Sequence, residues 1–274
     1  MPNNFRIALR FLTARRRSML MSLAGIVFGV GFFIVTQAQT SGFEGFFIRT
    51  IIGTNGAIRI EDKYQDMTLA MPADPKAQGP GQFEVSTARE GRRYIEGVEN
   101  PDDIIAALRN FANVSGASLV VRGSVVADSS FRNDTAQVFG VRLEDHLAVS
   151  DLARQIVLGS LADYRETTHG LLIGRVLADR LKVTVGDALT LASGEQRVRF
   201  RVSAIYETGV SDIDRVRLYV HLTAARSLLR RASGASFIQV GLFDHTRAPL
   251  DVPRMEEVFR HGATSWQERE KTWL

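Results

Sequence analysis

Between Ser18 and Phe43 the chain carries no charged residue over 26 positions, and the stretch Met19 to Val35 is apolar and rich in glycine. A helix needs about 20 such residues to cross the roughly 30 Å hydrocarbon layer of a bilayer, so this segment is long enough to span one. Arg15, Arg16 and Arg17 stand directly before it, and no matching basic cluster follows. The positive-inside rule then predicts a cytoplasmic N-terminus, with everything after about Ser41 on the far side of the membrane. A basic start also suits a cleaved signal peptide. Against cleavage, the apolar run exceeds the usual h-region, and Thr36-Gln37-Ala38 is a poor small-x-small site. The anchor is the preferred reading.

The remaining length suffices for one large domain or two small ones. Net charge is +4, but Arg6, Arg10, Arg15, Arg16 and Arg17 supply five positive charges before the span with no acid among them. The rest of the chain is therefore close to neutral. The high isoelectric point reflects topology, and no basic stripe interleaved with aromatics points to nucleic acid. Cysteine is absent, which excludes disulfides, zinc–thiolate sites and thiol nucleophiles.

Periodicity gives a coarse map. Phe5 to Leu12 reads as an interfacial helix with Arg6, Arg10 and Arg17 on one stripe and Phe5, Leu9 and Leu12 on another; a disordered basic tail is the alternative. Gly25 and Gly29, with Gly31 nearby, have the small-residue spacing that lets another helix approach closely. A polar helical exit runs from Ser41 to Ile52 and ends in a turn at Gly53–Gly56, followed by a strand at Ala57–Glu61. Met67–Gln82, with Pro72, Pro75 and Pro80, is a loop, either a flexible insert or a partner-binding segment. Helices are expected from Asp102 or Asp103 to Val114, over Leu143–Leu158, over Leu171–Leu181, over Thr223–Arg231 and over Val252–His261. Strands are expected at Ala117–Ala127, Thr135–Val141, Ala188–Ala192, Arg217–His221 and Phe237–Phe243. Ser193-Gly194-Glu195 signals a hairpin. In its returning strand Val198, Phe200, Val202 and Ala204 face inward, and Arg197, Arg199, Arg201 and Ser203 face solvent.

Catalytic signatures are missing. The five histidines have no ligand spacing, and the chain has no G-x-S-x-G, S-x-x-K or Walker A loop. The acid pairs Asp102-Asp103 and Glu256-Glu257 are explained by capping and solvation. No catalytic, cofactor-binding or metal-ligating residue is assigned.

Several segments in order carry a likeness. Ala8 to Arg17, the glycine-rich span and Ser41-Gly42-Phe43-Glu44 resemble the amino-terminal region of the FtsX/LolC/LolE/MacB permeases of ABC transporters. Ile173 to Ala178, Leu181 to Leu191, Ala204 to Gly209, Leu218-Tyr219-Val220, Ala224 to Leu229 and Ser265-Trp266-Gln267 resemble the family's periplasmic core. The resemblance implies a non-catalytic permease subunit in the bacterial inner membrane. It would work with a cytoplasmic ABC ATPase, which binds the ATP and Mg, and with a second permease subunit in a homo- or heterodimer. A periplasmic carrier or adaptor is a further implied partner, and lipoprotein release the leading function; a single-span anchored binding or sensor protein is the alternative. The family has three further spans after this domain, so the chain reads as a fragment or an independent one-span protein. The short connection at Ser193-Gly194-Glu195 lacks the long hairpin of LolC-like members, which makes the sequence look LolE-like or generic.

The expected fold is α+β. A cytoplasmic interfacial helix (1–17), a transmembrane helix (18–40) and a stalk (41–56) precede a mixed, largely antiparallel, MacB-like periplasmic domain (57–262) of two lobes with an insert over roughly 65–165. Residues 263–274 begin a return toward the membrane. Gly25, Gly29 and Gly31 are assigned to helix packing. Phe43, Phe46, Phe47 and Ile48 are assigned to the stalk, as candidates either to contact acyl chains or to pack the stalk. Arg15, Arg16 and Arg17 are assigned to headgroup contact.

Overall fold

A computed structural model describes residues 16–61, 63–65, 93–95 and 97–271. The expected interfacial helix, the Met67–Gln82 loop and Arg15 lie outside them. The chain divides into two compact units, Met1–Arg49 and Thr50–Leu274.

Helix α1, Arg16–Asn55, is 40 residues long and includes the apolar segment. Within its most apolar part no residue is buried by protein. Thr36 and Thr40 turn their hydroxyls back onto the carbonyls of Phe32 and Thr36, at 2.9 and 3.0 Å, so neither needs an outside partner in an apolar setting. The turn expected at Gly53–Gly56 begins later, because the helix continues to Asn55. Tertiary contacts override the poor helix formers there. Asp151 N–H donates to the Gly53 carbonyl (2.6 Å), and Gly56 N–H donates to Ile52 O (2.9 Å). Gly56, at φ +69°, then ends the helix.

The domain is built on β1 (Ile58–Glu61), β2 (Lys63–Gln65), β3 (Arg93–Ile95), α2 (Pro101–Leu108), β4 (Val114–Asp128) and β5 (Asn133–Val141). After these come α3 (Leu143–Leu147), α4 (Leu152–Gln155), β6 (Ile156–Gly159), α5 (Leu161–Glu166), β7 (Gly170–Gly174), α6 (Arg175–Leu181), β8 (Ala188–Ser193) and β9 (Gln196–Tyr206). The chain continues through α7 (Ser211–Asp214), β10 (Arg217–His221), α8 (Leu222–Leu228), β11 (Phe237–Leu242), α9 (Ala248–Phe259), β12 (Gly262–Ser265) and α10 (Trp266–Arg269).

Among the described residues one mixed sheet holds ten strands in the order β12-β1-β11-β4-β5-β10-β7-β9-β6, with β8 pairing both β4 and β9. The second pairing of β8 closes a ring: β4, β5, β10, β7, β9 and β8 return to β4. Two ladders of that ring, β5 with β10 and β7 with β9, are parallel. One face of these strands buries Val125, Val138, Ile173, Leu191, Phe200, Leu218 and Val220 against α6 and α8. The other buries an aromatic cluster, Phe139, Tyr164, Tyr206, Tyr219 and Phe237, under α3 and α4.

Several expectations change. Gly170–Gly174, read as the start of a helix, is a fully buried strand. A short run that is apolar on both faces has no period to tell the two apart. Leu143–Leu158 resolves into two short helices and β6. The helix expected from Asp102 to Val114 stops at Leu108; it begins on Pro101, and no side chain caps it. The helix expected from Val252 begins at Ala248. Arg197, Arg199 and Arg201 are exposed as expected, but Ser203 is buried. The β7–β9 register skips a residue there, pairing Leu171 with Val202 and Leu172 with Ala204.

Helix α8 reaches the sheet at Gly140, where an added Cβ would clash with the Ala225 methyl. Both partners are fixed in regular structure. Gly140→Val should therefore lower stability by about 1–3 kcal/mol through overpacking, read from urea unfolding of the full chain in detergent.

Candidate functional site

Alternation along five adjacent strands places a set of polar side chains on the aromatic face. β1 contributes Arg59, which is register partner to Gln239 of β11. Arg122 of β4 pairs with Phe139 of β5, and Gln137 of β5 pairs with Arg217 of β10. With Arg269 and Glu270 at the end of α10 and Asn55 at the end of α1, these residues line a cleft of about 330 Å³. Four guanidiniums, separated by as many as 210 positions in sequence, thus share one cavity.

Aromatic rings hold them in place. The Arg59 guanidinium lies 3.8 Å above the Phe237 ring, and Arg122 reaches the same ring at 5.5 Å. Arg217 lies 4.4 Å over Phe139. Such stacking favours arginine, whose weakly hydrated plane suits a ring face. Arg217 donates to Tyr219 Oη (3.1 Å) and Asn55 Oδ1 (3.0 Å), and Arg269 donates to the Gly56 carbonyl (3.1 Å). These bonds join the last turn of α1 and its cap to the sheet and to α10. The same turn is buried in the domain at Ile51 and Thr54.

Opposite charge is scarce in the cleft. Glu61 lies 3.2 Å from Arg59 Nε, without hydrogen-bond alignment, and Glu270 lines the wall. Arg59 Nε, Arg269 Nη1 and Gln239 Oε1 are buried without a hydrogen-bond partner. Burial pushes Arg59 down to about 10; Glu61 opposes the shift, and Arg122, Arg269 and Arg217 add to it. Burial likewise lowers Arg269. The cleft thus gathers four guanidinium side chains, with Arg59, Arg217 and Arg269 half-buried and Arg122 exposed. Among the described residues no three His, Asp or Glu side chains gather as metal ligands.

The singled-out residues that the structure describes lie elsewhere, on α1. A methyl added at Gly25, Gly29 or Gly31 would meet nothing within 4 Å. Helical periodicity aligns Gly25 with Gly29 and turns Gly31 roughly 160° away from Gly29. Phe43 and Phe46 are exposed, Phe47 and Ile48 half-buried, and the Phe43 and Phe47 rings stack at 6.2 Å. Arg16 opens the helix and Arg17 is exposed.

The family described as MacB-like periplasmic core domain matches residues 19–250. The chain belongs to this family. Two proteins named lipoprotein-releasing system transmembrane protein LolC, both from Xylella fastidiosa, are similar to it. One, from strain Temecula1, is 24% identical over 263 residues; the other, from strain 9a5c, is 25% identical over 269. These alignments cover 90% and 92% of this chain but 56% and 57% of the relatives, so the chain spans little more than half their length. The crystal structure of the periplasmic region of MacB from Actinobacillus actinomycetemcomitans shares the fold, with a TM-score of 0.50 and 14% identity over 82% of this chain and 95% of that one. The likeness to permeases of the FtsX, LolC and MacB type thus holds for family and fold. The β8–β9 hairpin turns through Gly194 and Glu195 alone, with Ser193 paired to Gln196.

Beneath Tyr219 in this MacB-like domain sits His146, fully buried, its ring 5.1 Å from the tyrosine and its Nδ1 3.5 Å from Ser118 Oγ. Burial, helped by the nearby Arg217 charge, pushes it down to about 3. The native state thus holds it neutral, while the unfolded chain protonates it near pH 6.5. Its contribution is complete above pH 6.5 and is lost as pH falls from there toward about 3, at about 1.4 kcal/mol per unit. His146→Gln should flatten that acid limb in denaturant titrations, leaving the part due to carboxylates.

Proposed function

We propose that this chain is the anchor and periplasmic domain of an ABC permease, working with a separate cytoplasmic ATPase to move lipoproteins out of the inner membrane. One observation supports transmission above all: the last turn of a 40-residue helix is built into the sheet domain through Asp151, Arg217 and burial of Ile51 and Thr54. A force along α1 would reach β10 through the Asn55–Arg217 bond instead of being absorbed by a loose linker. The lipoprotein cargo rests on the relatives' LolC name.

In this reading the N-terminus is cytoplasmic and Arg15, Arg16 and Arg17 meet the headgroups. Gly25 and Gly29 receive another helix, from this protein or from a second permease subunit, with Gly31 on a separate face. Phe43, Phe46, Phe47 and Ile48 contact acyl chains. The close β8–β9 hairpin argues against direct recruitment of a periplasmic carrier by this subunit. A single-span binding or sensor protein is the rival, favoured by the arginine-lined cleft.

Photocrosslinkers at Phe43 and Phe47, in the membrane complex without ATP, should yield adducts with lipoprotein acyl chains. No adduct from either position overturns the lipoprotein reading. Two glycines inserted after Arg49 should leave binding of the ATPase intact and abolish cargo-dependent ATP hydrolysis. Unchanged hydrolysis would remove the transmission role and favour the sensor.

A further inference from the structure

Structural needs account for only part of the arginine cleft. A single stacked arginine would cover Phe237, yet two approach its ring. Four arginines line the cleft against one acid, Glu270; Glu61 lies 3.2 Å from Arg59 Nε, and Asp214 acts on Arg217 from outside the lining. Like charges held together with unused donors weaken the fold unless an anion completes the set. The arginines come from β1, β4, β10 and α10; a carboxylate offers about four lone-pair sites, all in one plane, and so matches donors spread over four elements less well. A tetrahedral phosphate accepts from several directions at once. The volume, about 330 Å³, far exceeds the roughly 10–15 Å³ that one water needs on the same measure, so a phosphate has room. Space is left for a short polar substituent, and Gln239 Oε1, buried and unpaired, can accept from its hydroxyl.

We propose that this cleft binds a phosphate ester bearing a small hydroxylated substituent, with Arg59, Arg122 and Arg269 holding the phosphate and Arg217 fixing the floor. Two sources share this chemistry: a phospholipid headgroup and a soluble phosphate ester. Because Asn55 and Glu270 form part of the wall, an occupied site ties the end of α1 to α10. The proposal is independent of the cargo assigned above and stands if the acyl-chain crosslinks fail.

The test is calorimetric titration of the full chain in detergent with sn-glycerol 3-phosphate, dihexanoyl phosphatidylglycerol and glycerate. The phosphate compounds should bind, more weakly at higher salt, and glycerate should not. Tighter binding of the short-chain lipid identifies a headgroup; equal or weaker binding identifies a soluble ester. Both outcomes uphold the site. Arg122→Gln should weaken binding about tenfold or more, as expected for losing a charged hydrogen-bond donor. Gln239→Glu, which keeps every arginine but adds a negative charge, should abolish binding, and this second variant covers misfolding of the first. Arg199→Gln, on the exposed face of β9, removes the same charge and should change nothing. Absence of binding by both phosphate compounds at millimolar concentration overturns the proposal. So does equal binding of glycerate, or equal loss in Arg199→Gln.

Discussion

The 15-residue strand β4 organises the domain, because it pairs with β11 from Val114 to Val120, with β5 from Val120 to Asp128 and with β8 at its far end. That third pairing turns an open sheet into a ring and fixes the rest. Once β8 is held against β4, the β8–β9 hairpin must bring β9 back beside β7, and β7 beside β10. Ring closure removes sheet edges that would otherwise expose unpaired backbone groups. It also gives each strand two defined faces. One takes the aliphatic core under α6 and α8; the other takes aromatics.

The aromatic face could not be left as hydrocarbon alone, because its outer end opens into the cleft. Phe139 and Phe237 meet there edge to face at 6.3 Å, and arginines cover the exposed ring surface. Arginine suits the position: its plane stacks on a ring while its N–H groups remain available sideways. Lysine, a compact and strongly hydrated charge, has no plane to stack on the ring. The same side chains therefore close the core and line the cavity.

Much of this was legible in sequence, and the failures have physical causes. The long apolar helix was clear because an uncharged run of that length, about what a bilayer requires, has few other readings. The β8–β9 hairpin was clear because alternation and turn residues agree. Gly170–Gly174 was lost because a strand buried on both faces carries no period. The cleft was lost for a different reason. Arg59, Arg122 and Arg217 lie far apart in sequence, each among apolar neighbours, where a charge reads as solvent-facing. Only the strand order β1-β11-β4-β5-β10 brings them together, and no local pattern encodes it. The one available signal was arginine recurring where flanking residues were β-branched or aromatic.

The cleft also bears on how motion would pass through the domain. Asn55 ends the helix that contains the apolar segment, and Arg269 sits in α10, just after β12. Asn55 Oδ1 accepts from Arg217 and the Gly56 carbonyl accepts from Arg269, both neutral acceptors. Neutral acceptors hold a guanidinium more weakly than a carboxylate does, so a change of charge in the cleft would be felt at this junction. An anion in the cleft would replace mutual repulsion among arginines with shared attraction. The junction would stiffen without any change in the strand ladders beneath it.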